Sequence, residues 1–186
     1  EEFISHLHEA TDGNRVFIKD ILRTLHQEGS ITKEGTKYCI DDWESVKFPE
    51  NITESVLRRI DTLTGNEMRV LDYACIMSTS DNKIDKNVLA NCFDIEVNEL
   101  EPVLQKLEEK KLLRTDLNNE YKLTHDGISQ TILENIEGRW ENVYHKEIGF
   151  SLEKVYKDNE DKVLFQLAKH FGKTNDDKKA IKYSLE

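Results

Sequence analysis

Apolar side chains recur every three or four positions along most of the chain, which is the spacing of amphipathic helices. Near the N-terminus this pattern predicts two helices separated by a turn at 11–14, followed by a small hairpin around Gly35. A third helix is expected from about Ile52. The run Thr64-Gly65-Asn66-Glu67 is typical of a capping box, in which the two end side chains bond each other's backbone amides. It predicts the start of a fourth helix.

The middle of the chain continues with helices and then two short extended segments. Helices are expected from Asp85, which suits an N-cap, and from about Glu96. The segments Leu112–Thr115 and Tyr121–Thr124 flank a turn at 118–119 and predict a β-hairpin. Three helices followed by a hairpin are the order of a winged helix-turn-helix module.

The last third of the chain again has helical spacing and predicts antiparallel helices like those of TPR repeats. We therefore expect a mainly α fold in three parts. Residues 1–50 form a helical segment with a small hairpin, residues 51–125 a winged-helix domain, and residues 126–186 a helical arm. Because the chain starts and stops inside predicted helices, we expect it to be part of a longer protein.

Charge and cysteine content narrow the class of protein. The chain has 37 Asp and Glu against 26 Lys and Arg, a net charge of −11, which phosphate backbones repel. No stretch approaches the ~20 apolar residues of a membrane helix, and the N-terminus lacks a signal-peptide pattern. Cys39, Cys75 and Cys92 are widely spaced, as expected for reduced thiols. These features predict a cytoplasmic protein without a membrane partner.

Catalytic motifs are incomplete in the sequence. Gly172-Lys173-Thr174 resembles the end of a phosphate-binding P-loop, but Leu167 occupies the position of that motif's first glycine. The sequence contains neither a metal-ligand motif nor a recognisable nucleophile with its base. We therefore expect no catalytic residue, metal or cofactor within this segment.

A winged helix raises the question of DNA binding. The third helix, expected at 96–111, would enter the major groove, but it has five acidic residues against three lysines. Four basic residues near the hairpin are the candidates for contact with a DNA backbone: Lys110, Lys111, Arg114 and Lys122. The charge balance disfavours DNA binding, which stays an alternative.

Several segments resemble the signal-transducing AAA-type ATPases with numerous domains, known as STAND ATPases. Thr11–Ile18 is similar to that family's Thr-x-Gly-Asn-Pro-Phe-Phe segment, and Tyr121–His125 to its Tyr-x-Phe-x-His segment. Further similarities in order and spacing lie at Trp43, Pro49–Ile52, Arg59, Leu63, Leu71, Ala74, Leu100, Leu104, Leu107, Leu112, Leu113, Arg139, His145, Ile148, Leu167–Phe171 and Lys179–Tyr183. The resemblance covers essentially the whole chain.

The resemblance implies that a P-loop domain precedes this segment in the parent protein and binds ATP or ADP with magnesium. Residues 1–50 would then be the C-terminal end of the ATPase lid. Gly13 and Asn14 match the lid segment that lies near the nucleotide, although Arg15 stands where the family has a proline. His125 is similar to the Met-His-Asp histidine of related immune and apoptotic ATPases, which contacts the terminal phosphate of ADP. The alternative is that His125 only anchors the wing to the next helix.

The leading hypothesis is therefore a regulatory segment of a signalling ATPase, not itself an enzyme. Its partners would be the upstream nucleotide-binding domain of the same chain and a protein or effector domain at the C-terminal helices. Two alternatives stay open: a DNA-binding winged helix of a transcriptional regulator, and a plain helical scaffold for protein interactions.

Overall fold

The computed structural model describes residues 2–11, 13, 15–35, 37–40, 52–78, 83–124, 132–134, 136 and 138–185. The chain divides into two compact units, residues 1–62 and residues 63–186. The helices and the two antiparallel hairpins confirm the predicted mainly α fold with small β-hairpins. Among the described residues, no helix combines the length and apolar character needed to cross a membrane.

The described elements of the first unit are α1 (Glu2–Thr11), α2 (Arg15–Gln27), β1 (Thr32–Glu34), β2 (Lys37–Cys39) and α3 (Ile52–Ile60). An apolar core lies between α1, α2 and the start of the hairpin, and consists of Leu7, Phe17, Ile21, Leu25 and Ile31. On α2 the core positions Phe17, Ile21 and Leu25 repeat at helical spacing, and Leu7 packs against them from α1.

A buried ion pair joins α3 to α2. The Arg59 guanidinium lies 3.1 Å from the Asp20 carboxylate, and the Ser55 hydroxyl donates to the same carboxylate. All three side chains are buried, and burial lowers the pKa of Arg59 despite the neighbouring carboxylate. Separating such a pair would leave a buried charge uncompensated, so α3 is tied to the first unit. The predicted boundary after residue 50 differs from this division, because it assigns α3 to the winged-helix domain.

The second unit begins with α4 (Gly65–Ser78), α5 (Lys86–Cys92) and α6 (Val97–Glu109). The predicted capping box is present: the amide of Thr64 donates to Glu67 at 2.9 Å, and the amide of Glu67 donates to Thr64 at 3.3 Å. Asp85 caps α5 by accepting from the amide of Asn87 at 2.9 Å. Both predicted helix starts are confirmed.

A small sheet closes the three helices. Strands β3 (Leu113–Thr115) and β4 (Tyr121–Leu123) pair antiparallel, with Leu113 opposite Leu123 on the buried face. Ile84, between α4 and α5, forms a bridge to Tyr121, and its amide donates to the Tyr121 carbonyl at 3.1 Å. A bridge after the first helix, two further helices and a hairpin make the arrangement of a winged helix.

The chain then forms the arm helices α7 (Gly138–Val155), α8 (Leu164–Gly172) and α9 (Asp177–Leu185), with a 3₁₀ turn at Glu160–Val163. The core of the arm contains Ile148, Leu152, Leu167, Phe171 and Tyr183. Helix α7 packs against α4 and α5, so the arm and the winged helix belong to one compact unit. The boundary predicted between residues 125 and 126 falls inside this compact unit, because α7 packs against α4 and α5.

Candidate functional site

The wing brings two of the four basic candidates together. Arg114 and Lys122 are cross-strand partners, and they occupy the face of the hairpin opposite the buried pair of leucines. The ammonium of Lys122 lies 2.7 Å from the carboxylate of Asp116. Hydrogen bonds from Lys122 and from backbone amides lower the pKa of Asp116 to about 2, so this carboxylate keeps its charge. Much of the positive charge of Lys122 is therefore already paired.

The other two basic candidates lie in the tight turn between α6 and β3. Lys110 caps the end of α6, and its amide donates to the carbonyl of Lys106 at 3.0 Å. Lys111 has a positive φ of 57°, and its amide donates to the carbonyl of Glu108 at 2.9 Å. Both lysine side chains are half-buried. The backbone of this turn is fixed by helix termination.

The surface of α6 is acidic. Glu99 and Glu109 are exposed on this helix, and Glu96 is exposed immediately before it. The ammonium of Lys106 lies 3.4 Å from the carboxylate of Glu67, so this basic residue in the last turn of α6 is compensated. A helix with this charge repels the phosphates that border the major groove. The charge distribution therefore disfavours DNA binding through α6.

Of the nucleotide-sensing candidates, Gly13 lies within the described residues, whereas Asn14 and His125 lie outside them. Gly13 forms the turn between α1 and α2 with a φ of +70°. A side chain here would be strained by the backbone and would have its Cβ only 3.3 Å from Nε2 of His8. The backbone conformation of this turn is therefore a sufficient reason for a glycine at position 13.

The residues leading to His125 are anchored in the winged helix. Leu123 is buried, and the amide of Thr124 donates to the carbonyl of Leu112 at 3.1 Å. The Thr124 hydroxyl is buried without a hydrogen-bond partner among the described residues. The chain therefore leaves the end of the wing from a fixed position.

Two polar clusters in the second unit are not found by sequence reasoning. The first is a buried pair of histidines: Nδ1 of His145 lies 2.9 Å from Nδ1 of His170. Burial lowers their pKa values, to about 4 for His145 and about 3 for His170, so both rings are neutral at neutral pH. Each histidine does stand at an apolar-face position of its helix, which was the available signal.

The second cluster lies between α4 and α7. Here the hydroxyl of Tyr144 donates to Asp72 at 3.3 Å, and the hydroxyl of Tyr73 donates to Glu147. Burial raises the pKa of Asp72 to about 6 and also raises the pKa of Glu147. Carboxylates in apolar surroundings with raised pKa values are features of binding and catalytic sites. The sequence feature that could have indicated Asp72 is an acidic residue within the apolar stripe of a predicted helix.

No protein-family model matches the chain, and no curated protein is significantly similar to it. Among the described residues, no group of three His, Cys, Asp or Glu side chains is placed to hold a metal ion. The resemblance to signalling ATPases therefore stays a prediction.

Proposed function

We propose that this chain is a regulatory segment of a signalling ATPase, coupling the nucleotide state of an upstream P-loop domain to a protein partner or effector. The packing of α7 against α4 and α5 carries this proposal, since it makes the winged helix and the arm one compact unit. A winged helix that is held or released by a nucleotide domain then moves the arm with it.

The charge of α6 supports a role in protein contact. Its acidic surface suits a basic patch on a neighbouring domain, whereas it repels the backbone of DNA. A winged helix used in this way acts as a docking module within the parent protein.

The proposed switch is a shift between closed and open populations. In the closed arrangement, His125 contacts the terminal phosphate of ADP, as the resemblance to the Met-His-Asp segment implies. Exchange of ADP for ATP removes a contact that only the closed arrangement makes. The open form then exposes the arm to its partner.

Hydrogen–deuterium exchange on the full-length parent tests this proposal. With ADP bound, we expect amides on the surface of residues 63–186 to exchange more slowly than with an ATP analogue, because the nucleotide domain covers them. The presence of Gly-x-x-x-x-Gly-Lys-Ser/Thr upstream of Glu1 is a prior condition. Equal exchange in both nucleotide states, or a parent without this motif, would contradict the proposal.

DNA binding is the second candidate, favoured by the outward cross-strand pair of Arg114 and Lys122. Fluorescence anisotropy with labelled duplexes at about 150 mM salt, where screening leaves only close contacts, distinguishes it. We expect weak binding without sequence preference. Nanomolar affinity for one sequence, lost in Arg114→Gln, would favour a transcriptional regulator instead.

A further inference from the structure

A groove of about 570 Å³ lies between α4 and α7. Its polar and aromatic lining comes from both helices: Arg69, Asp72 and Tyr73 from α4, and Trp140, Tyr144 and Glu147 from α7. On each helix these residues recur at a spacing of three or four, so the two sets face each other. We call this feature the α4–α7 groove.

Asp72 places an incompletely compensated negative charge in this groove. The side chain is only 7% exposed, and its Oδ2 accepts one hydrogen bond from Tyr144 at 3.3 Å. Its other oxygen, Oδ1, is buried and has no hydrogen-bond partner among the described residues. Holding a buried carboxylate without a counter-charge costs free energy, which a cationic ligand would recover.

Aromatic side chains line the groove together with this carboxylate. The ring centroids of Tyr73 and Tyr144 are 4.6 Å apart, and Trp140 borders the groove with 48% of its surface exposed. The faces of such rings attract cations, most strongly when the cation is partly desolvated. Glu147, held by the hydroxyl of Tyr73, adds a second carboxylate. The aromatic rings and the two carboxylates therefore both favour a positively charged ligand.

Arg69 is the charged group that opposes this preference. Its charge lowers the pKa values of both Asp72 and Glu147. However, its guanidinium lies over the ring of Phe93, 5.3 Å from the centroid, and among the described residues it acts on Asp72 through its charge and not through a hydrogen bond. With both acids ionised, the groove keeps a net negative charge. Two carboxylates beside aromatic faces suit an organic cation better than a metal ion, which needs more oxygen ligands.

We propose that the α4–α7 groove binds an organic cation, whose ammonium group lies against Trp140 and Tyr144 and neutralises the carboxylate of Asp72. The cation belongs either to a small amine or to a lysine side chain of a protein partner. This site is independent of any ATPase domain upstream.

The test uses the 186-residue chain with Trp43→Phe, which leaves Trp140 as its single tryptophan. Trp140 fluorescence is titrated with choline and, separately, with its neutral carbon isostere dimethylbutanol. A second arm compares a short lysine peptide with the same peptide acetylated at the lysine amine. We expect saturable binding of a cationic probe. Its neutral counterpart should bind about tenfold more weakly or weaker still. Binding of choline identifies a small amine as the source, and binding of only the lysine peptide identifies a protein partner.

Two variants assign the binding to the groove. Asp72→Asn keeps the shape of the side chain and should weaken binding about tenfold or more, whereas the same change at exposed Asp158 should leave it unaltered. Trp140→Leu, followed by calorimetry, should weaken binding similarly and tests the groove independently of the Asp72 variant. Equal affinity for charged and neutral probes would overturn the proposal. So would unchanged affinity in a folded Asp72→Asn variant, or no saturation of either cation at millimolar concentration.

Discussion

Asp72 costs the folded protein stability at neutral pH. Burial raises its pKa to about 6, above the ordinary value of 3.8. The folded state therefore binds a proton more readily than the unfolded state, and stability from this group is lost as the pH rises from about 4 to 6. We expect Asp72→Asn to increase the free energy of unfolding at pH 7 by about 1–3 kcal/mol, given about 1.4 kcal/mol per pKa unit. Urea denaturation measures the difference.

The advantage of Asp72→Asn should disappear near pH 4, where the carboxyl of the parent chain is already neutral. Asp158→Asn is the matched control, because the same change at an exposed position should have little effect at either pH. A variant less stable than the parent at pH 7 would show that the ionised Asp72 carboxylate is compensated.

The pair of His145 and His170 affects stability in the opposite direction to Asp72: its contribution is lost as the pH falls. Their Nδ1 atoms lie 2.9 Å apart, so one ring donates and the other accepts. If both rings were protonated, two donors would face each other. Burial lowers both pKa values, and the positive charges of Lys169, and of Lys173 near His145, act in the same direction. Glu141 opposes the shift at His145, but burial outweighs it.

Acid should therefore destabilise the second unit through these histidines. Because the folded pKa values of about 4 and 3 lie below the ordinary 6.5, their stabilisation is complete above about pH 6.5 and is lost as the pH falls towards 4. Between pH 7 and pH 5 the contribution of this pair to the free energy of unfolding should fall by about 2–4 kcal/mol. Denaturation followed by Trp140 fluorescence in the Trp43→Phe background measures this loss. The difference between that chain and one carrying His145→Leu and His170→Leu isolates the pair; parallel pH profiles would refute this account.

At the level of elements, the packing of α7 on α8 depends on Gly149. A Cβ at this position would lie 2.9 Å from Cζ of Phe171, inside van der Waals contact. Phe171 is fully buried and stacks on Tyr183 with ring centroids 5.6 Å apart, so its ring has no free space to enter. We expect Gly149→Ala to lower the free energy of unfolding by about 1–3 kcal/mol through overpacking, despite the better helix propensity of alanine.

Gly172→Ala is the control for this change. Gly172 ends α8, and a Cβ added there would meet no atom of the described residues within 4 Å. Its φ is not positive, so alanine should be neutral or slightly stabilising at this position. Phe171→Leu combined with Gly149→Ala should recover part of the loss. Equal stability of Gly149→Ala and the parent in denaturant would mean that the two helices separate easily.

The elements that the sequence predicts best are those fixed by neighbouring residues. The capping box of Thr64 and Glu67 and the N-cap of Asp85 involve contacts within three residues, so the local sequence contains all their determinants. The order of three helices and a hairpin follows from the same local signals. The contacts of Asp72 with Tyr144 and of His145 with His170 join residues far apart in the chain. Periodicity assigns each residue to a face but does not identify its partner on another helix.

Like these long-range contacts, the boundaries between compact units are not determined by the local sequence pattern. The ion pair of Asp20 and Arg59 spans 39 residues and ties α3 to α2, while α7 packs on α4 and α5. Both associations depend on which faces meet in three dimensions. Gly13 lies in a turn, Arg114 and Lys122 lie on the wing, and Lys110 and Lys111 lie in the turn between α6 and β3. Their functional roles, and those of Asn14 and His125, stay predictions.

At the level of the whole protein, the proposed switch depends on His125 in the full-length parent. If its imidazole donates to the terminal phosphate of ADP, His125→Ala removes a contact that only the closed state makes. A hydrogen bond to a charged group contributes about 1.5–3 kcal/mol. The affinity for ADP should therefore fall about ten- to a hundredfold, while the affinity for ATP changes much less. Signalling output without inducer should rise as the population shifts towards the open form. Calorimetry with both nucleotides measures the two affinities.

Thr124→Val is the matched control for His125→Ala, because it changes the neighbouring residue without removing a donor to phosphate. The Thr124 hydroxyl is buried without a partner among the described residues, so valine should preserve both affinities and should not lower the melting temperature. A purely anchoring role for His125 predicts a different result for His125→Ala: a lower melting temperature, with the ADP and ATP affinities changed equally or not at all. Unchanged ADP affinity in a stable His125→Ala parent would exclude the phosphate contact, and the closed state would then require another donor to distinguish the two nucleotides.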